Sequence, residues 1–329
     1  MHVFTTNVDG DSTSDVPLGV STQLHNVNLH YFVSSYPRLY YSPAMREALR
    51  DAGSYDVVHL HSVFLWPTYA AARAARRARV PYVVSPRGML VPELIERKSR
   101  LLKRAWIGLF ERRTFAEAAA VHFTSQREHD DARRTNIPIP AAVIIPNGVD
   151  LPAGSAANRG DGLLFLGRIN WKKGLDRLIE AMRLLPDARL TIAGNDEENY
   201  RASLPSADNV RFIGPVSGAA KDDLLRGSAA LVLPSYSENF GNVVLEAMAV
   251  GTPVVVTPEV GLASEVESSG AGVVTSGDPP SLAAALRALL GDRAKREAMG
   301  RAGRAAVEAR YSWDRVAAQM EEAYARIAG

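Results

Sequence analysis

Short apolar runs alternate with longer stretches of 3.6-residue spacing along most of the chain. VVHL (57–60), YVVS (82–85), AVHFT (120–124) and AVII (142–145) read as buried strands. So do LLFLG (163–167), RLTIAG (189–194), ALVLPS (230–235) and PVVVT (253–257). Helical spacing fills 66–79, 174–185 and 240–250, and again 292–327 with a break near Tyr311, Ser312 and Trp313. Strands separated by helices need crossover connections, so the pattern predicts α/β layers around mostly parallel sheets. Runs of Val, Ile and Leu without alternation predict burial on both faces.

The pattern pauses at 146–161, PNGVDLPAGSAANRGD, a stretch rich in Pro, Gly, Asn and Ser that reads as a linker. The expected organisation is two doubly wound, Rossmann-like domains facing across a cleft. They take up 1–150 and 151–312, with a C-terminal helix, 313–329, packing back on the first. In such sheets ligands bind beyond the carboxyl ends of the strands.

Composition narrows the chemistry. The 329 residues suit about two domains at ~150 residues each. There is no cysteine, which removes disulfides, thiolate nucleophiles and zinc knuckles. The net charge of +2 gives no case for nucleic acid. Residues 1–150 hold 18 Lys+Arg against 14 Asp+Glu, and much of that excess lies in 97–113. Within 95–115 the cations mix with Leu101, Leu102, Trp106, Ile107, Leu109 and Phe110. This stretch reads either as an amphipathic basic helix on an anionic membrane or as a surface helix with one apolar side in the core. The start has neither a basic nor an apolar leader segment, so the expected location is cytoplasmic, with peripheral contact to the inner membrane through 95–115.

Two segments carry candidate chemistry. In LLFLGRINWKKGLDRLIEA (163–181) a strand runs into Gly167 and Arg168, and Lys173 precedes a glycine that starts a helix. Two cations at a strand's carboxyl end suit a pyrophosphate, but taken alone the segment reads better as a pair of surface cations in an ordinary βα loop. In PSYSENFGNVVLEAMAVGTPVVV (234–256) Glu238 precedes Phe240, Gly241 and Asn242, which open a helix containing Glu246. A helix start offers free N–H groups to an anion, and the acids can take sugar and ribose hydroxyls. The plainer alternative is an acid at Glu238 that caps the helix and a solvated or ion-paired helix residue at Glu246. No GxxxxGK[ST], GxGxxG after a strand, GxSxG or HExxH is present.

Taken together, GRINWKKG, LTIAGND, VRFIGPVS and LLRGSAALVLPSYSENFGNVVLEAMAVGTPVVVT resemble family 4 of the retaining nucleotide-sugar glycosyltransferases, of GT-B fold. The E-x7-E pair, Glu238 to Glu246, is that family's most specific mark. DVVHLHSVF (56–64), PYVVSPRGML (81–90) and PNGVD (146–150) extend the resemblance into the first half. The SPRGML form is similar to bacterial enzymes of lipopolysaccharide and exopolysaccharide assembly.

The resemblance implies a retaining transferase that moves a sugar from a UDP- or GDP-sugar to a glycan or lipid-linked acceptor, with no metal and no cofactor. By it, Arg168 and Lys173 bind the donor diphosphate, Glu246 the ribose, and Glu238 lies by the transferred sugar. Gly167 and the backbone of Asn239, Phe240, Gly241 and Asn242 line the donor, and Ile213 and Gly214 lie beside the base. On the acceptor side Arg87 stands where the family has a histidine, and His61, at the end of another strand, either faces the cleft or is a satisfied core residue. Met1 to Asn7 aligns with the family's second strand, so the first strand–helix unit is expected to be missing and its neighbours unpaired. That gap keeps a non-catalytic sugar-nucleotide-binding remnant open as an alternative, beside a weaker phosphorylase-like or epimerase-like reading.

Overall fold

The structure is a computed structural model that describes residues 1–10, 12–97, 100–152, 160–196 and 199–329. Residues 153–159 of the expected linker and Lys98 of the basic run lie outside the described residues. The chain divides into two compact units, Met1–Ile144 with Met320–Gly329, and Ile145–Gln319.

The first unit holds β1 (His2–Thr6), the small antiparallel pair β2 (Val8–Asp9) and β3 (Ser12–Thr13), β4 (Ser21–Leu24) and β5 (Val27–Phe32). It continues with β6 (Val58–His61), β7 (Tyr82–Ser85), β8 (Ala120–Phe123) and β9 (Ala142–Ile144). β6 to β9 form a parallel sheet in chain order, as the apolar runs predict. β1, β5 and β4 form a separate sheet in which β4 and β5 are antiparallel. Only His25 and Asn26 join those two strands, too few residues for a parallel crossover. Among the described residues β1 and β6 each pair on one side only.

The second unit is one six-stranded parallel sheet: β10 (Leu163–Leu166), β11 (Leu190–Ala193), β12 (Val210–Gly214), β13 (Ala230–Leu233), β14 (Val254–Val256) and β15 (Gly272–Val274). The order is β12-β11-β10-β13-β14-β15. Counted within this unit it is 3-2-1-4-5-6, the doubly wound arrangement whose switch point lies between the first and fourth strands. Here that is between β10 and β13. Every residue of β10, β13 and β14 is buried. The helix Leu175–Arg183 lays Leu175, Leu178, Ile179 and Met182 on the sheet, a one-face spacing that buries one side of a helix. Burying each such side chain contributes roughly 1.5–3 kcal/mol.

Candidate active site

The second unit builds its site from the carboxyl ends of neighbouring strands. Gly167 ends β10, and its N–H donates to Ala193 O at 3.0 Å. Gly194, just after β11, donates to Gly214 O at the end of β12 at 2.9 Å. The three backbones approach closely: a Cβ on Gly194 would fall 1.8 Å from Gly167 O. Arg168 follows Gly167 and is exposed, and among the described residues it has no ion-pair partner. Lys173 closes a one-turn helix, Trp171–Lys173, capped by Asn170, whose side chain accepts from Lys172 N at 3.1 Å. Gly174 then turns the chain into the helix Leu175–Arg183 with φ +64°.

The loop after β13 meets this turn. Tyr236 N donates to Lys172 O at 2.7 Å. Lys173 Nζ donates to Glu238 Oε2, with both side chains mostly covered. The two sequence-predicted residues therefore meet at the switch point. Glu238 N donates to Glu259 O at 3.1 Å, and Gly261 N to Glu238 O at 2.8 Å, so the acid sits on a loop fixed to the segment after β14. Gly241 caps the helix Asn242–Ala249 at φ +95°. The Phe240 side chain lies in the core, so this residue can offer only its backbone to a ligand. Asn242 Oδ1 accepts from Asn147 Nδ2 at 2.9 Å. Glu246 is paired with Lys221 Nζ at 3.0 Å. Ile213 and Gly214 are partly covered at the end of β12.

Three supporting residues here were not legible in the sequence. Arg177 donates to Pro234 O at 2.7 Å and stacks on Tyr236 with its guanidinium 4.0 Å from the ring centroid. Burial pulls its pKa down. Tyr236 Oη donates to Asp176 Oδ2 at 2.9 Å. Together these groups tie the Pro234–Glu238 loop to the helix Leu175–Arg183. Lys221 is the third: 25 residues separate it from Glu246, and no local spacing signals such a pair.

In the first unit, His61 and Arg87 meet at the carboxyl ends of β6 and β7. The Arg87 guanidinium donates to His61 Nδ1 at 3.2 Å and 3.3 Å. Burial and then the neighbouring Arg87 cation depress the His61 pKa to about 4, so the ring is neutral. Behind it lies a polar chain that sequence reasoning missed. His59 Nδ1 lies 2.5 Å from Tyr324 Oη, His59 Nε2 lies 2.6 Å from Ser85 Oγ, and Ser85 Oγ lies 2.7 Å from His122 Nδ1. Burial first, then His61, His122 and Arg87, depress the His59 pKa to about 2. Buried Glu128 accepts from Gly88 N at 2.6 Å and Thr124 N at 2.7 Å, which fixes the Arg87 turn.

The basic stretch has a buried side and an exposed side. Glu111, Thr114 and Phe115 are buried, and Ile107 packs against the core. Leu101 and Leu109 are 82% and 72% exposed beside exposed Arg100, Arg104, Arg112 and Arg113. Among the described residues, no helix is long and apolar enough to cross a membrane.

Residues 155–306 match the family model described as glycosyl transferases group 1, and residues 1–148 match a glycosyl transferase 4-like domain. The phosphatidyl-myo-inositol mannosyltransferase of Mycobacterium leprae is 32% identical over 318 residues, covering 89% of this chain and 80% of that protein. The chain belongs to the family 4-like, group 1 glycosyltransferases. A D-inositol 3-phosphate glycosyltransferase of Xylanimonas cellulosilytica is 31% identical to this glycosyltransferase over 317 residues, 85% of this chain and 74% of that one. Sucrose-phosphate synthase from Thermosynechococcus elongatus superposes with a TM-score of 0.75 at 22% identity, covering 99% of this chain and 88% of that chain. Anabaena Alr3699/HepE, solved with UDP and glucose, gives 0.73 at 21% identity, with coverage of 92% and 87%. The glycosyltransferase therefore has the GT-B fold.

Proposed function

We propose that this glycosyltransferase takes a sugar from a nucleotide diphosphate sugar and transfers it, with retention of anomeric configuration, to a glycan or lipid-linked acceptor. The observation that carries this reading is the meeting of Lys173 and Glu238 at the switch point of the second unit, beside exposed Arg168 and a glycine-capped helix start.

Negative charge on the departing diphosphate is the main electrostatic problem of such a transfer. Arg168 supplies a planar fork and Lys173 a point charge. The free N–H groups at Gly241 and Asn242 add a third positive contribution. Preorganised donors of this kind act where charge develops and need no reorganisation during the step. The acceptor hydroxyl attacks the anomeric carbon on the face the leaving group vacates. The C–O bond to the diphosphate breaks, and the hydroxyl proton passes to the leaving phosphate oxygen. Glu238 orients the transferred sugar and forms no covalent bond to it.

Arg87 and His61 belong to the acceptor side in this reading. A guanidinium held beside a neutral imidazole suits a phosphate or polyol group on the acceptor. The inositol-containing acceptors named for the mycobacterial and Xylanimonas relatives support an acceptor of that kind. The resemblance of SPRGML supports a lipopolysaccharide or exopolysaccharide setting, and both settings call for a lipid-linked or glycan hydroxyl. The exposed leucines among cations in 100–113 support peripheral contact with an anionic membrane, where such acceptors reside.

The test is a thermal-shift screen of UDP-, GDP- and ADP-sugars, since a bound donor raises apparent stability. It is followed by transfer to a glycolipid acceptor and assignment of the product anomer by NMR. An inverted product would end the retaining reading. Donor binding without hydrolysis or transfer would favour a non-catalytic binding protein.

A further inference from the structure

Lys221 pairs with Glu246 at 3.0 Å from a different element. It lies on the helix Gly218–Gly227, which begins four residues after Gly214 at the end of β12. Glu246 lies on the helix Asn242–Ala249. Both side chains are 29% exposed, so the pair is reachable by a ligand yet not freely solvated.

We infer that Lys221 is a positioning residue for the nucleoside half of the donor, holding Glu246 in the geometry that accepts the ribose diol. The inference rests on the donor reading above and deepens it. An ionised carboxylate has about four lone-pair sites on its two oxygens. Lys221 occupies one at Oε1, which leaves Oε2 and a second site at Oε1 for two vicinal hydroxyls. The ammonium also offsets a negative charge that would otherwise stand near the diphosphate and oppose its binding. Lys221 further ties the element that follows the base-side residues Ile213 and Gly214 to the element that carries the ribose-side acid. Base and ribose recognition are thereby mechanically joined through one ion pair. The site then holds two acids, Glu238 and Glu246, each shielded by its own lysine, beside exposed Arg168.

A partly exposed pair is worth less than a buried one. The expected effect of Lys221→Met is therefore a loss of about two- to fivefold in nucleotide affinity. Calorimetric titration of UDP and GDP, each with its 2′-deoxy form, is run on the wild type, Lys221→Met and Lys221→Arg. The wild type should bind the ribonucleotide more tightly than the deoxynucleotide. Lys221→Met should lose most of that discrimination, and Lys221→Arg should regain it. In steady state the loss should fall on the donor KM and leave kcat nearly as it was, which a general loss of structure would not do. If Lys221→Met melts early, Lys221→Gln takes its place in the same titrations. Unchanged affinity and unchanged ribose discrimination in the methionine variant overturn the inference while leaving the donor site standing. Failure of the wild type to bind either nucleotide overturns the donor reading itself, and the role of Lys221 falls with it.

Discussion

Lys173 donates its ammonium to Glu238 across the point where the strand order of the second unit reverses. Without ligand, the lysine charge is thus shared with a carboxylate. In the proposed reading a donor diphosphate draws it away, so that two anions compete for one cation. Lys173→Ala and Arg168→Ala are each expected to lower turnover by ~2–4 kcal/mol in transition-state stabilisation. Glu238→Gln is expected to do the opposite to binding: UDP or GDP should bind more tightly, while transfer slows because the sugar loses its acid. Steady-state kinetics with calorimetry on the three variants checks this, and near-normal turnover in both cation variants would reject the assignment.

The turn that presents Lys173 depends on Gly174. Its φ is +64°, and a Cβ there would lie 2.0 Å from Pro234 O. Backbone strain and the clash together predict that Gly174→Ala destabilises the second unit by ~2–4 kcal/mol. Because Pro234 opens the Glu238 loop, donor affinity should fall with stability. A melting curve like that of the wild type would show that the loop yields at little cost.

The first unit should lose stability in mild acid. His59 and His61 titrate near 2 and near 4 when folded, below the ordinary value of 6.5. A histidine depressed in this way contributes fully above the unfolded pKa. That contribution erodes as pH falls below 6.5, because the unfolded chain takes up the proton first. For His59 the difference between pH 7.5 and pH 5.5 is about 1 kcal/mol. Urea unfolding at both pH values, on the wild type and His59→Gln, measures it. An equal pH dependence in the two proteins would contradict the buried, neutral His59.

Peripheral membrane contact has its own signature. The wild type is expected to co-sediment with vesicles rich in anionic lipid, and less so at high salt. Leu101→Asp with Leu109→Asp should abolish sedimentation without changing donor binding, since both side chains are exposed. Absence of salt-sensitive binding by the wild type would leave 100–113 as an ordinary surface.

Much of this architecture is legible in the residues because central parallel strands are nearly pure Val, Ile and Leu. β6 to β11, β13 and β14 all fall on the apolar runs that predict them. β12 and β15 escape that reading for physical reasons. Arg211 interrupts the first, and the second is only three residues, Gly272–Val274. The β4–β5 hairpin escapes because His25 and Asn26 make its turn without the Asn-Gly or Asp-Gly signal. At the site, local spacing shows Lys173, Glu238 and Glu246 but not their pairing. Lys173 and Glu238 are 65 residues apart, and only the crossover topology brings them together. Ser85 likewise reads as the last residue of a strand, and three-dimensional placement alone shows it between His59 and His122.

β1 and β6 each end a sheet with one side of the backbone unpaired among the described residues. Neither HVFTT nor VHLH contains a lysine or a proline, the residues that usually guard such borders against another chain adding a strand. Concentrated solutions of the protein should therefore self-associate through its first unit. Amide exchange at His2–Thr6 and Val58–His61 should then slow as the concentration rises, while the second unit's exchange stays constant.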